Sequence, residues 1–218
     1  MKHLAFCCAS GVAAAILSST LATAATDTKT AAPSARRGFQ LALRTGYSTP
    51  LGNAMKDSPM SDWFTGQVPF VIDVGGKPWE HLFFGGFLGL SGGGAGDALV
   101  DCTGCSSIGV RFGAEALYSF LPGGRVDPWL GYGIGFAYVD VGDDSGTVDL
   151  SGFEPAILSG GVDFRLSRVF GLGPFVELSL GRYSTIGAES GDFGVTNDLD
   201  ERATHAWLTL GVRGVFFP

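Results

Sequence analysis

Histidine, cysteine and charge are all scarce in this 218-residue chain. Three histidines and four cysteines leave few side chains for metal ligation or nucleophilic catalysis. Charged residues make up 16% of the sequence, against about 25% in soluble domains. The basic set is outnumbered, 14 Lys and Arg to 21 Asp and Glu, giving a net charge of −7. Nucleic-acid binding needs a basic footprint, so that class of partner is excluded. Beyond residue 24 no apolar run reaches helix length, which leaves no helical membrane span there.

Glycine is what the chain has in excess: 35 residues, about twice the usual share. Low charge, many glycines, many aromatics and no long apolar run together fit a membrane protein built of strands. The first 24 residues read as a signal peptide. Lys2 and His3 supply a positive start, Leu4 to Leu21 are apolar or small, and Ala22-Thr23-Ala24 offers a small-x-small cleavage site. Cys7 and Cys8 lie inside the apolar stretch, where they are not placed for acylation. Residues 25–37 are rich in Thr, Ala, Ser and Pro and read as a disordered periplasmic lead-in. Residues 38–218 then form one domain.

From Phe39 onward apolar residues recur with period two, the strand signature. Eight segments follow: 39–47, 67–74, 82–90, 108–120, 130–138, 156–165, 175–181 and 205–216. The fourth is the clearest. Ile108, Val110, Phe112, Ala114, Ala116, Tyr118 and Phe120 alternate there with Gly109, Arg111, Gly113, Glu115, Leu117 and Ser119. The third, 82–90, is apolar on both faces and leaves its register open. Long polar connections (48–66, 91–107, 140–152, 184–202) alternate with shorter Gly- or Pro-rich ones (75–81, 121–127, 166–173). The pattern predicts an all-β, eight-stranded antiparallel up-and-down transmembrane β-barrel with four outer loops and three periplasmic turns.

A soluble barrel would show the same alternation with its apolar face inside. The weaker face decides against it, because it carries Gly, Ala and Ser with single charges. Such residues suit the tight interior of eight strands. Arg44, Arg111, Arg165 and Arg213 fall on that face, as do Asp73, Glu115, Asp163 and Glu177. Buried charges demand partners, so these eight are expected to form a salt-bridge network that plugs the lumen. Tyr47, Tyr118, Trp129, Tyr138 and Phe216 fall near strand ends, where interfacial aromatic girdles belong.

The stretches Pro128-Trp129-Leu130-Gly131-Tyr132-Gly133-Ile134-Gly135-Phe136 and Gly173-Pro174-Phe175-Val176-Glu177-Leu178-Ser179-Leu180-Gly181 resemble strands of the OmpA/OmpX-type small barrels. The likeness covers residues 38–218, and OmpW-like barrels are a second resemblance. The closing Leu210-Gly211-Val212-Arg213-Gly214-Val215-Phe216-Phe217 is similar to the C-terminal signal read by the barrel-assembly machinery, although Pro218 follows the aromatic here. The resemblance implies a monomer in the outer membrane of a Gram-negative bacterium, contacting its lipid and lipopolysaccharide. It implies a structural or surface-interaction role, with no catalytic residues, cofactor or metal. The OmpW-like alternative implies a porin-like conduit for small hydrophobic molecules, lined by Phe83, Phe87 and Trp207.

Cys102-Thr103-Gly104-Cys105 falls in the second outer loop. In an oxidising compartment a local disulfide is the expected state of Cys102 and Cys105. The acidic outer loops offer oxygen ligands. Neither Asp143-Asp144-Ser145-Gly146 nor Asn197-Asp198-Leu199-Asp200 has a complete cation-loop spacing. Arg182 is expected at the outer rim, within reach of lipid phosphates. A lipid-modifying enzyme would have to use His205, with Ser184, Asp198 or Asp200 approaching through space.

Overall fold

The computed structural model describes residues 37–56, 58–96, 105–143, 146–190, 193–198 and 203–217. The signal segment, the lead-in up to residue 36, Cys102 and Pro218 lie outside the described residues. Among the described residues there are ten strands: β1 (Gly38–Met55), β2 (Ser58–Pro59), β3 (Phe64–Lys77), β4 (Leu82–Ala95), β5 (Ser106–Ser119), β6 (Val126–Asp143), β7 (Gly146–Arg165), β8 (Phe170–Ser190), β9 (Phe193–Asp198) and β10 (His205–Phe216). One helical turn, α1 (Met60–Trp63), precedes β3.

Eight of the strands pair antiparallel with their chain neighbours in the order β1-β3-β4-β5-β6-β7-β8-β10. β10 then pairs back onto β1, from Leu41 opposite Phe216 to Gly52 opposite His205. The sheet thereby closes into a barrel and leaves no free edge along its wall. β2 and β9 are side additions, paired to β1 and β8 respectively. Three short connections, 78–81, 120–125 and 166–169, lie at the end where β1 begins and β10 ends. That end is called the terminal end below, and the opposite one the loop end.

The strands run further than their apolar patterns. β7 has 20 residues and β8 has 21, whereas a tilted strand crosses hydrocarbon in about 9–11. Most of 140–152 and 184–202, read from sequence as polar loops, is therefore ladder that extends β6, β7 and β8 and adds β9. The physical reason is plain. Backbone pairing continues past the level where an apolar outer face is required, so the alternation that marks a wall stops before the strand does.

The outer wall is apolar: Phe70 is 63% exposed and Leu130 58%. The charged residues of the wall strands turn inward, with Arg44 5% and Asp73 1% exposed, together with a set of buried aromatic and aliphatic side chains. β4, whose register the sequence leaves open, turns Phe83 and Phe87 into the lumen and Phe84, Leu88 and Leu90 out of it.

Three apolar clusters fill the interior. Met60 and Phe64, folded in by α1 and the start of β3, pack with Ala54, Val139, Val141, Leu150, Tyr183 and Trp207 at the loop end. Val71, Phe87 and Ile157 form a second cluster, and Phe83, Leu117, Trp129 and Phe175 a third. Two inward phenylalanines each lie on a facing pair of glycines, and a third lies on one member of such a pair. Phe83 covers Gly75 and Gly85, Phe87 covers Gly113 and Gly135, and Phe175 lies over Gly211 beside Gly46. A methyl group on Gly135 would stand 2.9 Å from the Phe87 ring, closer than packed carbons allow. The glycine excess thus makes seats for aromatic rings. It lets eight strands hold large side chains.

Candidate functional site

The candidate site is the lumen itself. β1 carries Arg44 inward at its middle, between Ala42 and Gly46 on the same face. Its Nη2 donates to Asp73 Oδ1 at 2.7 Å and to Glu115 Oε2 at 3.3 Å. Its Nε donates to Asp73 Oδ1 at 3.2 Å, and its Nη1 to Glu177 Oε2. One guanidinium therefore holds three carboxylates that come from β3, β5 and β8. Glu177 is shared: Arg111 Nη1 donates to its Oε1 at 3.1 Å, and Arg111 Nε to Glu154 Oε2 at 2.9 Å.

This central cluster welds five of the eight strands. All its carboxylates are nearly solvent-free, with side-chain exposures of 6% or less. In such surroundings an ion pair is strong and an unpaired charge is costly.

A second group lies toward the terminal end. Arg213 Nη1 pairs with Asp163 Oδ2, and the Trp129 indole Nε1 donates to Asp163 Oδ1 at 3.2 Å. The Arg213 guanidinium sits 4.7 Å from the Trp129 ring centroid, a cation–π contact that fixes its plane. Lys77 is buried beside them, and its Nζ donates to Ser119 Oγ at 2.8 Å.

Seven of the eight charges named from sequence stand in these two ion-pair groups. Arg165 does not. Its Nη1 donates to the Gly123 carbonyl at 3.0 Å, and it enters no ion pair among the described residues. It is the last residue of β7 and reaches the turn, beyond the carboxylates. Trp129 is a second correction. It is 3% exposed and packs in the lumen, whereas Tyr47, Tyr118, Tyr138 and Phe216 lie on the outer wall. Parity places it there, since Trp129 shares a face with Gly131 and Gly133.

Two charged residues escaped the sequence reading. Lys77 lies two steps of period two beyond Asp73, and extending that pattern through Gly75 finds it. Glu154 is harder. β7 carries a bulge between Phe153 and Ala156, at Pro155, which has no N–H for the ladder. Glu154 and Ile157 both face inward across it, so counting back by twos from Ile157 puts Glu154 on the wrong side.

His205 is not at an open rim. It is 1% exposed, faces inward, and stacks on Tyr183 with ring centroids 4.0 Å apart. Neither ring nitrogen has a hydrogen-bond partner among the described residues. Ser184 donates to the Ser151 carbonyl instead. Asp200 lies outside the described residues, as does Cys102, while Cys105 stands just before β5. Arg182 is exposed at the loop end, and its Nε donates to Thr204 Oγ1 at 3.1 Å.

Among the described residues, voids of about 20 Å³ near the terminal end, 10 Å³ beside Arg44 and Arg111, and 20 Å³ beside Ser48 and Trp207 lie along the lumen. Each has room for about one water molecule.

No family model matches the sequence, and no curated protein matches it. Among solved structures the chain is similar to the outer-membrane protein AlkL in DMPC bilayers (13% identity, 90% of this chain and 98% of that one, TM-score 0.48). It is also similar to Neisserial surface protein A (17% identity, 81% and 96%, TM-score 0.45). A third similarity is to Ail, the attachment invasion locus protein of Yersinia pestis (12% identity, 83% and 100%, TM-score 0.45). At these identities no functional residue transfers.

Proposed function

We propose that the chain is a non-enzymatic barrel of the bacterial outer membrane, with a plugged lumen and a structural or surface-interaction role. The observation that carries this reading is Arg44 holding three buried carboxylates across the middle of the barrel. An aqueous pore would need that cross-section empty. The outward apolar wall, with Phe70, Leu130 and Leu210 about 60% exposed, supports a hydrocarbon surround, because soluble proteins seldom leave such a belt open.

On this reading partner specificity sits at the loop end, since a rigid scaffold leaves recognition to its connections. Arg182 is placed there for lipid or lipopolysaccharide phosphates, and a Cys102–Cys105 disulfide would staple the adjoining loop. The last strand, β10, would be what the assembly machinery reads. Planar-bilayer recording tests the plug. The purified protein should give no steady ionic current at neutral pH, and stable open channels from the intact protein would overturn the reading.

The second reading is a conduit for small hydrophobic molecules. The inward positions of Phe83, Phe87 and Trp207 favour it. Against it, Phe83 and Phe87 pack in separate clusters and Trp207 lies 5.6 Å from the Phe64 ring. They fill layers and line no continuous path. Vesicle uptake of a small hydrocarbon above the rate of empty vesicles would revive the conduit.

A further inference from the structure

The terminal-end void is lined by three cations, Lys77, Arg165 and Arg213, and two carboxylates, Asp127 and Asp163. Both carboxylates are already engaged. Asp163 accepts from Arg213 and from Trp129, and Asp127 accepts the Leu121 backbone N–H at 3.1 Å. The cations retain donors. Arg213 is 2% exposed, yet its Nε and Nη2 have no partner among the described residues. Lys77 is 6% exposed and pairs with no carboxylate among them; its ammonium donates to a neutral hydroxyl and lies 5.8 Å from the Phe217 ring centroid.

The free donors of Arg213 have a particular shape. Nε–H and one Nη2–H lie parallel along one edge of the guanidinium, the fork that takes two oxygens of one carboxylate. Asp163 and the Trp129 ring hold the other edge and the plane. The fork is therefore set in advance, which lowers the ordering cost of binding. Asp127, Gly124, Arg165 and Phe217 are only half-buried, so the void is reached from the terminal end.

We propose that Arg213 and Lys77 form a binding site for a single carboxylate group entering the barrel from its terminal end. The incoming group takes the Nε–Nη2 edge of Arg213 with its two oxygens and the Lys77 ammonium with one of them. It brings the set to three cations against three anions. The ligand is either a small free acid or the terminal carboxylate of a peptide whose remainder stays outside.

The test is an NMR titration of arginine-labelled protein in detergent micelles at constant ionic strength, following the Arg213 Nε–H resonance. Sodium acetate represents the free acid, N-acetyl-dialanine represents the peptide, and its amide and sodium chloride are the controls. A saturable shift with a Kd of order millimolar is expected with acetate, with the peptide acid, or with both. Which of them binds tighter identifies the source. Arg213→Lys should abolish saturation, and Lys77→Gln should weaken binding about tenfold, while both keep the native mobility on a gel. If Arg213→Lys does not fold, the Lys77→Gln comparison decides alone. The proposal is overturned if chloride or the peptide amide produces the same shift. It is equally overturned if neither acid saturates, or if Lys77→Gln binds like the parent.

Discussion

Replacing Arg44 by Met is expected to destabilise the folded barrel by about 3–5 kcal/mol or to prevent its folding. Methionine replaces the aliphatic stem of the arginine, so most of the loss comes from the missing guanidinium and its ion pairs. Removal leaves Asp73, Glu115 and Glu177 buried at the barrel centre. Glu177 keeps Arg111, but neither Asp73 nor Glu115 has any other ion-pair partner among the described residues. Urea unfolding in vesicles, followed by heat-modifiable gel mobility, measures the loss. Two controls separate this account from a general intolerance of lumen substitutions. Arg165→Met removes a bond to one carbonyl and should cost about 1–3 kcal/mol. Adding Asp73→Asn to Arg44→Met should recover part of the loss, because one orphaned charge is gone. Equal effects at Arg44 and Arg165, with no recovery in the double variant, would refute the network's central place.

Ile72→Arg carries the second large effect. Ile72 alternates with Asp73 on β3 and is 46% exposed on the outer wall. It stands opposite Leu43 of β1 and Leu88 of β4, at the level of the ion-pair cluster. A charge at the hydrocarbon midplane costs about 2–4 kcal/mol on the lipid face of a barrel. At an exposed site in water the same change is worth within about ±0.5 kcal/mol. Refolding yield and urea midpoint in vesicles should both fall sharply. An unchanged midpoint would place this face in water.

The two predictions rest on different parts of the sequence, and these parts were not equally legible. The wall could be read directly, because a strand with an apolar outer face and a packed inner face must alternate. Ile108 through Phe120 shows the alternation without a break. Closure of the barrel and the inward course of Arg44, Arg111 and Arg213 follow from the same parity. The extensions of β6, β7 and β8 were hidden, since polar hairpins above the wall keep their ladders without an apolar face. The partners within the lumen were hidden for another reason. Which carboxylate meets which guanidinium depends on the stagger around the barrel, and the Pro155 bulge shifts that stagger by a residue. The glycines gave no sign of their pairing, because Gly113 meets Gly135 only through the β5–β6 register.

Collisional quenching along β6 tests the central orientation most directly. Single tryptophans would be placed in turn at the outward positions 130, 132, 134 and 136, in a background with Trp63 and Trp79 replaced by Phe, in protein refolded into vesicles with brominated acyl chains. The buried Trp129 and Trp207 are the inward probes. Strong quenching of the introduced tryptophans, with little of Trp129 and Trp207, is the result predicted. The reverse pattern, or equal quenching of both sets, would contradict an apolar wall turned toward lipid around a filled, charge-paired lumen.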